Sequence, residues 1–176
     1  MKKALLLLIL LFTFTTINAQ SFYFGPQVGY VNIKGSSEGT FQYGAALRFS
    51  FIIFGIEGTA SYSEKKYPGP FGTTIKATGI PISVTGMVYI IPSFLYGCAG
   101  FDWYNNKYTY SYPGYQDASE TFTSTGYHLG AGVQIPLGPI LLTGDARYLF
   151  SSHQNIANTE LDMNYYLLQV GLLFKL

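Results

Sequence analysis

The chain has 176 residues, room for one domain and not for two well-packed cores. Charged residues make up only 11%, against roughly 25% in ordinary soluble domains. Aromatics reach 18%, with 16 Tyr and 14 Phe. That balance excludes a nucleic-acid partner, which needs a concentrated basic face, and suits a surface that meets lipid.

The first segment reads as a secretory signal peptide over 1–19. Lys2 and Lys3 form a basic start, Ala4 to Phe14 an apolar run, and Ile17-Asn18-Ala19 a cleavage site before Gln20. The apolar run is too short to span a bilayer, which takes about 20 helical residues. Residues 20–176 are then one domain. Removing Lys2 and Lys3 from ten basic residues leaves eight against nine acidic, a net charge of −1. The single Cys98 has no intramolecular partner for a disulfide, so the fold must hold without that staple.

From Ser21 onward the dominant signal is alternation with period 2. Ser21 to Ile33 sets Phe22, Phe24, Val28 and Tyr30 against Gly25, Gln27 and Gly29. Thr40 to Phe51 sets Phe41, Tyr43, Leu47 and Phe49 against Gln42, Gly44, Arg48 and Ser50. Less regular strands follow at roughly Gly55 to Ser63, Ile75 to Ile90 and Phe94 to Asn105. A sixth strand sets Tyr127, Leu129, Val133 and Ile135 against His128, Gly130, Gly132 and Gln134. A seventh sets Leu142, Ala146 and Tyr148 against Thr143, Asp145 and Arg147. The last puts Tyr166, Leu168, Val170, Leu172, Phe174 and Leu176 on one face. Apolar outward with polar or small residues inward is the pattern of transmembrane strands.

Connections sort into two kinds. Ile52-Ile53, Ile91-Pro92 and Leu137-Gly138-Pro139 join strands tightly, while 34–39, 64–74, 106–122 and 151–164 are longer. Short periplasmic turns alternating with longer external loops are required of an outer-membrane barrel whose termini are periplasmic. The expected fold is therefore all-β: an eight-stranded antiparallel up-and-down transmembrane β-barrel behind a signal peptide. A soluble lipocalin-type barrel fits less well, because it would crowd Phe, Tyr and Leu inside and leave glycines and charges facing water.

Several stretches carry a family resemblance. Tyr23-Phe24-Gly25-Pro26-Gln27-Val28-Gly29-Tyr30, Ile80-Pro81-Ile82, Gly130-Ala131-Gly132, Asp145-Ala146-Arg147-Tyr148 and the closing Val170 to Leu176 resemble, in that order, the small outer-membrane β-barrel domain family, PorT-like and akin to OmpA/OmpX-type barrels. The resemblance spans the mature chain and implies a fold and a location, the outer membrane of a diderm bacterium, more than an activity. One departure is the C-terminal Leu176, where such proteins commonly end in an aromatic residue; Phe174 is the nearest on that face.

Inside such a barrel a charge needs a partner. If the second hairpin turns on Ile52-Ile53, Arg48 and Glu57 lie opposite one another and point inward. One register of strands six and seven sets Asp145 opposite Gly132 and Arg147 opposite Gly130, leaving room for long side chains. These four form either a gated polar pathway, giving a narrow porin-like channel, or a salt-bridged plug. The interior of eight strands, just wide enough for side chains, favours the plug.

An enzyme is not expected. Ser151, Ser152, His153 and Asn155 resemble part of a lipid A deacylase site, yet His153-Gln154-Asn155-Ile156 lacks that family's serine, and nothing fixes Glu160 or Asp162 as an orienting acid. His128 reads as a satisfied interior histidine. No Cys/His spacing suggests a metal, and no cofactor is expected. Tyr108, Tyr110 and Tyr112 alternate before Pro113-Gly114, with Tyr115 beyond, as in a hairpin prolonged past the membrane. Those tyrosines offer contacts to a protein or glycan partner, or pack among the loops and girdle. The expectation is a monomeric structural or surface-interaction protein bathed in outer-membrane lipid.

Overall fold

The computed structural model describes residues 21–33, 39–68, 73–111, 118–151, 154–156, 159–161 and 164–176. The strands, rich in aromatic and β-branched residues that favour a pleated surface, are β1 (Ser21–Ile33), β2 (Thr40–Ser50), β3 (Phe54–Pro68), β4 (Thr74–Ile91), β5 (Leu95–Ser111), β6 (Ala118–Leu137), β7 (Ile140–Ser151), β8 (Gln154–Ile156), β9 (Thr159–Leu161) and β10 (Tyr165–Lys175). Eight close into a barrel in the order β1-β10-β7-β6-β5-β4-β3-β2, every contact antiparallel, while β8 and β9 pair only with each other. The expected eight strands are present. The stretch that was expected to be a plain loop after β7 carries this extra pair.

Tight turns lie at the end that holds Ser21 and Lys175. The Phe51 amide donates to the Phe54 carbonyl at 2.6 Å, and the Phe94 amide to the Ile91 carbonyl at 3.0 Å. Gly138 turns at φ 68°, a left-handed conformation that glycine adopts without steric cost.

The outer wall is apolar. Phe22, Phe49, Phe51, Phe54, Phe94 and Phe174 ring the terminal end, with Phe22–Phe49 and Phe49–Phe51 centroids each 4.3 Å apart. Toward the loop end the ring changes to Tyr43, Tyr62, Trp103, Tyr127 and Tyr166, amphipathic aromatics that suit a headgroup layer. Aliphatic residues such as Leu47, Ile56, Val84, Leu129 and Val170 fill the band between. From Phe22 to Tyr30 the chain advances about 26 Å at ~3.3 Å per residue, or about 20 Å of height at a tilt of ~40°, near the thickness of an outer-membrane apolar band.

Two expectations need correcting. Strands β3, β5 and β6 run well past their sequence-based limits, while β4 keeps its own to within a residue. The connections expected over 64–74 and 106–122 therefore shrink to 69–73 and 112–117, the latter as the prolonged hairpin that the alternating tyrosines suggested. β2 pairs with β3 only as far as Gln42 opposite Ser63, and β7 with β6 only as far as Ser151 opposite Gly126. The outer parts of β3 to β6 therefore form a four-stranded extension beyond the closed barrel. The interior is also less uniformly polar than expected. Apolar clusters line the lumen: Tyr23, Ala46, Leu141 and Leu173, and separately Met87, Tyr89, Tyr96 and Cys98, toward the terminal end, and Tyr104, Leu149 and Leu167 on the loop side.

Candidate functional site

The middle of the lumen holds one connected polar network. Arg48 and Glu57 face each other across β2 and β3, both essentially unexposed. Arg48 Nε donates to Glu57 Oε2 at 2.8 Å, with Nη2 at 2.5 Å from the same oxygen. Arg147 Nη2 donates to the other carboxylate oxygen of Glu57 at 2.8 Å, and its Nε to Asp145 Oδ1 at 2.5 Å. Tyr96 closes the ring: its hydroxyl accepts from Arg48 Nη2 and donates to Asp145 Oδ2, each at 3.3 Å. Two guanidinium groups thus meet two carboxylates around one phenol. Arg48, Glu57, Asp145 and Arg147, anticipated from strand parity alone, are brought together.

The network reaches further than parity reasoning found. Arg48 Nη1 donates to Gln134 Oε1 at 3.0 Å, which also accepts from the Tyr89 hydroxyl, itself bonded to Ser50. On the other side Arg147 Nη1 donates to Thr85 Oγ1 at 3.0 Å. Thr85 Oγ1 lies 3.1 Å from His128 Nε2, and His128 Nδ1 lies 2.8 Å from Asp102 Oδ2. Asp102 in turn accepts from Ser83. Every bond is satisfied with Nδ1–H donating to Asp102 and Nε2 accepting the Thr85 hydroxyl proton. Aspartate, histidine and hydroxyl stand in series, with Thr85 fully buried and its hydroxyl also accepting from Arg147. Among the described residues no buried side-chain nitrogen or oxygen lacks a partner.

Glycines make the space. A Cβ on Gly132 would sit 2.6 Å from Asp145 Cβ and 2.5 Å from Tyr96 Cζ; one on Gly100 would sit 2.6 Å from His128 Cε1. The registers that put Gly132 opposite Asp145 and Gly130 opposite Arg147 are those present.

At the loop end the lumen widens into a cavity of about 190 Å³, bordered by Gln42, Ser63, Asn106, Tyr67 and Tyr108. Tyr108 and Tyr110 lie on the same side of β5 as Tyr104, and Tyr108 packs edge-on against Phe122 with centroids 5.9 Å apart. They belong to the inner face of the extension and not to the outer aromatic ring. Tyr112 and Tyr115 lie outside the described residues. So do Ser152, His153 and Asp162, together with the side chains of Ser151, Asn155 and Glu160, and residues 1–20. On the extension, Glu64 accepts from the Tyr62 hydroxyl at 2.7 Å and pairs with Lys76 at 2.9 Å and Lys66 at 3.8 Å. The Tyr62 hydrogen bond and then Lys76 hold the Glu64 carboxyl below its usual range, and Glu64 raises Lys76. Among the described residues no group of three or more His, Cys, Asp or Glu could hold a metal ion.

Residues 4–175 match the family model of the outer membrane protein beta-barrel domain. The chain belongs to this family. It is a small eight-stranded barrel of the outer membrane, and the matched stretch begins inside the segment expected to be the signal peptide. Comparison with curated proteins gives no match. Among solved structures, Ail of Yersinia pestis, in complex with the heparin analogue sucrose octasulfate, is similar at 13% identity and a TM-score of 0.62, covering 91% of this chain and 100% of that one. Neisserial surface protein A is similar at 17% identity and 0.58, covering 90% and 100%. A major outer membrane protein of Thermus thermophilus is similar at 11% and 0.60, covering 88% and 99%. At these identities the likeness shows the fold alone.

Proposed function

We propose that this barrel is a closed membrane anchor for an external interaction surface, exported by the signal peptide over 1–19, with termini periplasmic and the extension outside. The network carries this reading. Arg48, Glu57, Asp145, Arg147 and Tyr96 form a connected hydrogen-bonded network inside the lumen, which supports a barrel filled by side chains at that level. Fully satisfied buried polar groups also hold a single register. The barrel wall meets lipid only, which leaves the extension as the surface a partner can reach.

The extension offers an edge. Among the described residues, β6 from Ala118 to Thr125 pairs with β5 on one side and with nothing on the other. Its Ser, Thr and Phe content and single charge, Glu120, do little to discourage another strand from adding to it. A protein or glycan partner at this end fits the Ail likeness only as an analogy, since the heparin analogue is bound by that protein.

Planar-bilayer recording tests the reading. The refolded chain should give no conductance steps, and steps altered by Arg48→Ala or Arg147→Ala would establish the narrow-channel alternative. Release of fatty acid from lipid A by the wild type, lost in His153→Ala, would instead establish a deacylase.

A further inference from the structure

We propose that the loop-end cavity is a binding site for a single sugar ring, such as the terminal unit of a neutral glycan. The inference rests on the reading of this end as the external, interacting one.

One rung of inward-facing residues crosses four strands at its base: Gln42 opposite Ser63, Ser63 opposite Gly79, and Gly79 opposite Asn106. Gly79 supplies no side chain, and a Cβ there would sit 2.8 Å from Ser63 Oγ and 3.1 Å from Asn106 Oδ1. The two polar groups therefore converge on the space the glycine leaves. Gln42 is only 7% exposed and lines the cavity, yet its amide makes no side-chain hydrogen bond to any described residue. Elsewhere in the lumen the buried amides are engaged: Gln134 with Arg48, and Gln169 with Gln27. Since no buried polar atom among the described residues lacks a partner, the Gln42 amide is open to the cavity, where a ligand can bond to it in place of water.

The rest of the lining defines the occupant. Tyr67, with the Lys65 ammonium 5.2 Å from its ring centroid, and Tyr108 line the cavity beyond the rung, and the Tyr104–Tyr165 pair, centroids 6.0 Å apart, forms part of the floor. Aromatic rings beside a hydroxyl, an amide oxygen and a second amide suit a ligand with apolar C–H faces and several hydroxyls. The volume of about 190 Å³ fits one six-membered ring with substituents, since a cavity of about 150 Å³ holds benzene. Among the lining residues Lys65 is the only charged one, which suits a neutral ring and not a polysulfated one.

The test is saturation-transfer NMR on the full mature chain folded in detergent micelles, where both barrel ends are accessible and orientation in the cell does not matter. The probes are free D-glucose, D-galactose, D-mannose, N-acetyl-D-glucosamine and L-fucose, with sucrose octasulfate as the polyanionic comparison. Transfer to the ring protons of at least one neutral sugar is expected, weakened about tenfold in affinity by Gln42→Ala and abolished by Gly79→Val. Tyr166→Ala, on the lipid face, should leave it unchanged. No transfer from a folded barrel to any neutral sugar would overturn the proposal. So would transfer that survives both cavity substitutions, or binding of sucrose octasulfate alone. Failure of the wider functional reading would appear separately, as bilayer conductance.

Discussion

Replacing Glu57 with Leu should destabilise the folded barrel by about 3 kcal/mol, the lower end of the range for deleting one partner of a buried ion pair. Glu57 is 1% exposed and takes hydrogen bonds from both Arg48 and Arg147. Without it two guanidinium groups remain in the lumen with partial compensation. Arg147 keeps Asp145 and Thr85, and Arg48 keeps Gln134 and Tyr96, which is why the loss falls at the low end. Removing both charges as Arg48→Met with Glu57→Leu should cost less than the sum of the two single changes, by about 1–3 kcal/mol. Urea unfolding in lipid vesicles measures this, with the sole tryptophan, Trp103 on the outer aromatic ring, as reporter and gel mobility of unheated samples as a second probe. A Glu57→Leu barrel within ~0.5 kcal/mol of wild type, the variation usual for surface changes, would refute the view that the network is coupled and buried. A strictly additive double variant would do the same.

Other outcomes follow from the same geometry. Gly132→Val forces a side chain against Tyr96 and Asp145 and should cost about 3 kcal/mol in the same assay, whereas Gly144→Ala, whose Cβ would meet nothing nearer than 3.9 Å, should be close to neutral. The Glu64 carboxyl should titrate by NMR below the ordinary carboxylate range and move up in Lys76→Met. Because its pKa is depressed on folding, its small contribution to stability is present above the unfolded pKa and is lost as pH falls through the folded one. Lys107→Cys in a Cys98→Ala background should react with a membrane-impermeant maleimide on intact cells; labelling only after permeabilisation would reverse the assigned orientation.

The wall was legible in the sequence because one face of each strand meets lipid and the other does not, so the outward face stays apolar from Phe22 to Tyr30 and from Tyr166 to Leu176 even where Tyr23, Leu167 and Leu173 face inward. The same parity put Arg48 opposite Glu57. It failed for the outer part of β3, where Glu64, Lys65, Lys66 and Tyr67 show no contrast and no periodicity carries the strand past Ser63, whereas the alternating Tyr108 and Tyr110 did mark the prolonged β5–β6 hairpin. The wider network was missed for a different reason. Tyr89 and Tyr96 resemble girdle tyrosines by composition, and only their inward position makes them ligands of Gln134 and Asp145. Counting outward from Cys98 would have placed Tyr96, Gly100 and Asp102 on one face, the signal that Asp102 needed a partner such as His128. The cavity rung depends on the pairing of four strands, which no single strand's pattern contains.

Cys98 allows the closed lumen to be tested most directly. It is the chain's only cysteine, 6% exposed, and clusters inside the barrel with Met87, Tyr89 and Tyr96. In the wild-type protein reconstituted in lipid vesicles, a water-soluble maleimide should leave Cys98 unmodified until urea unfolds the barrel. Rapid modification of the folded protein would show a continuous water path past Arg48, Glu57, Asp145 and Arg147, and would contradict the closed anchor.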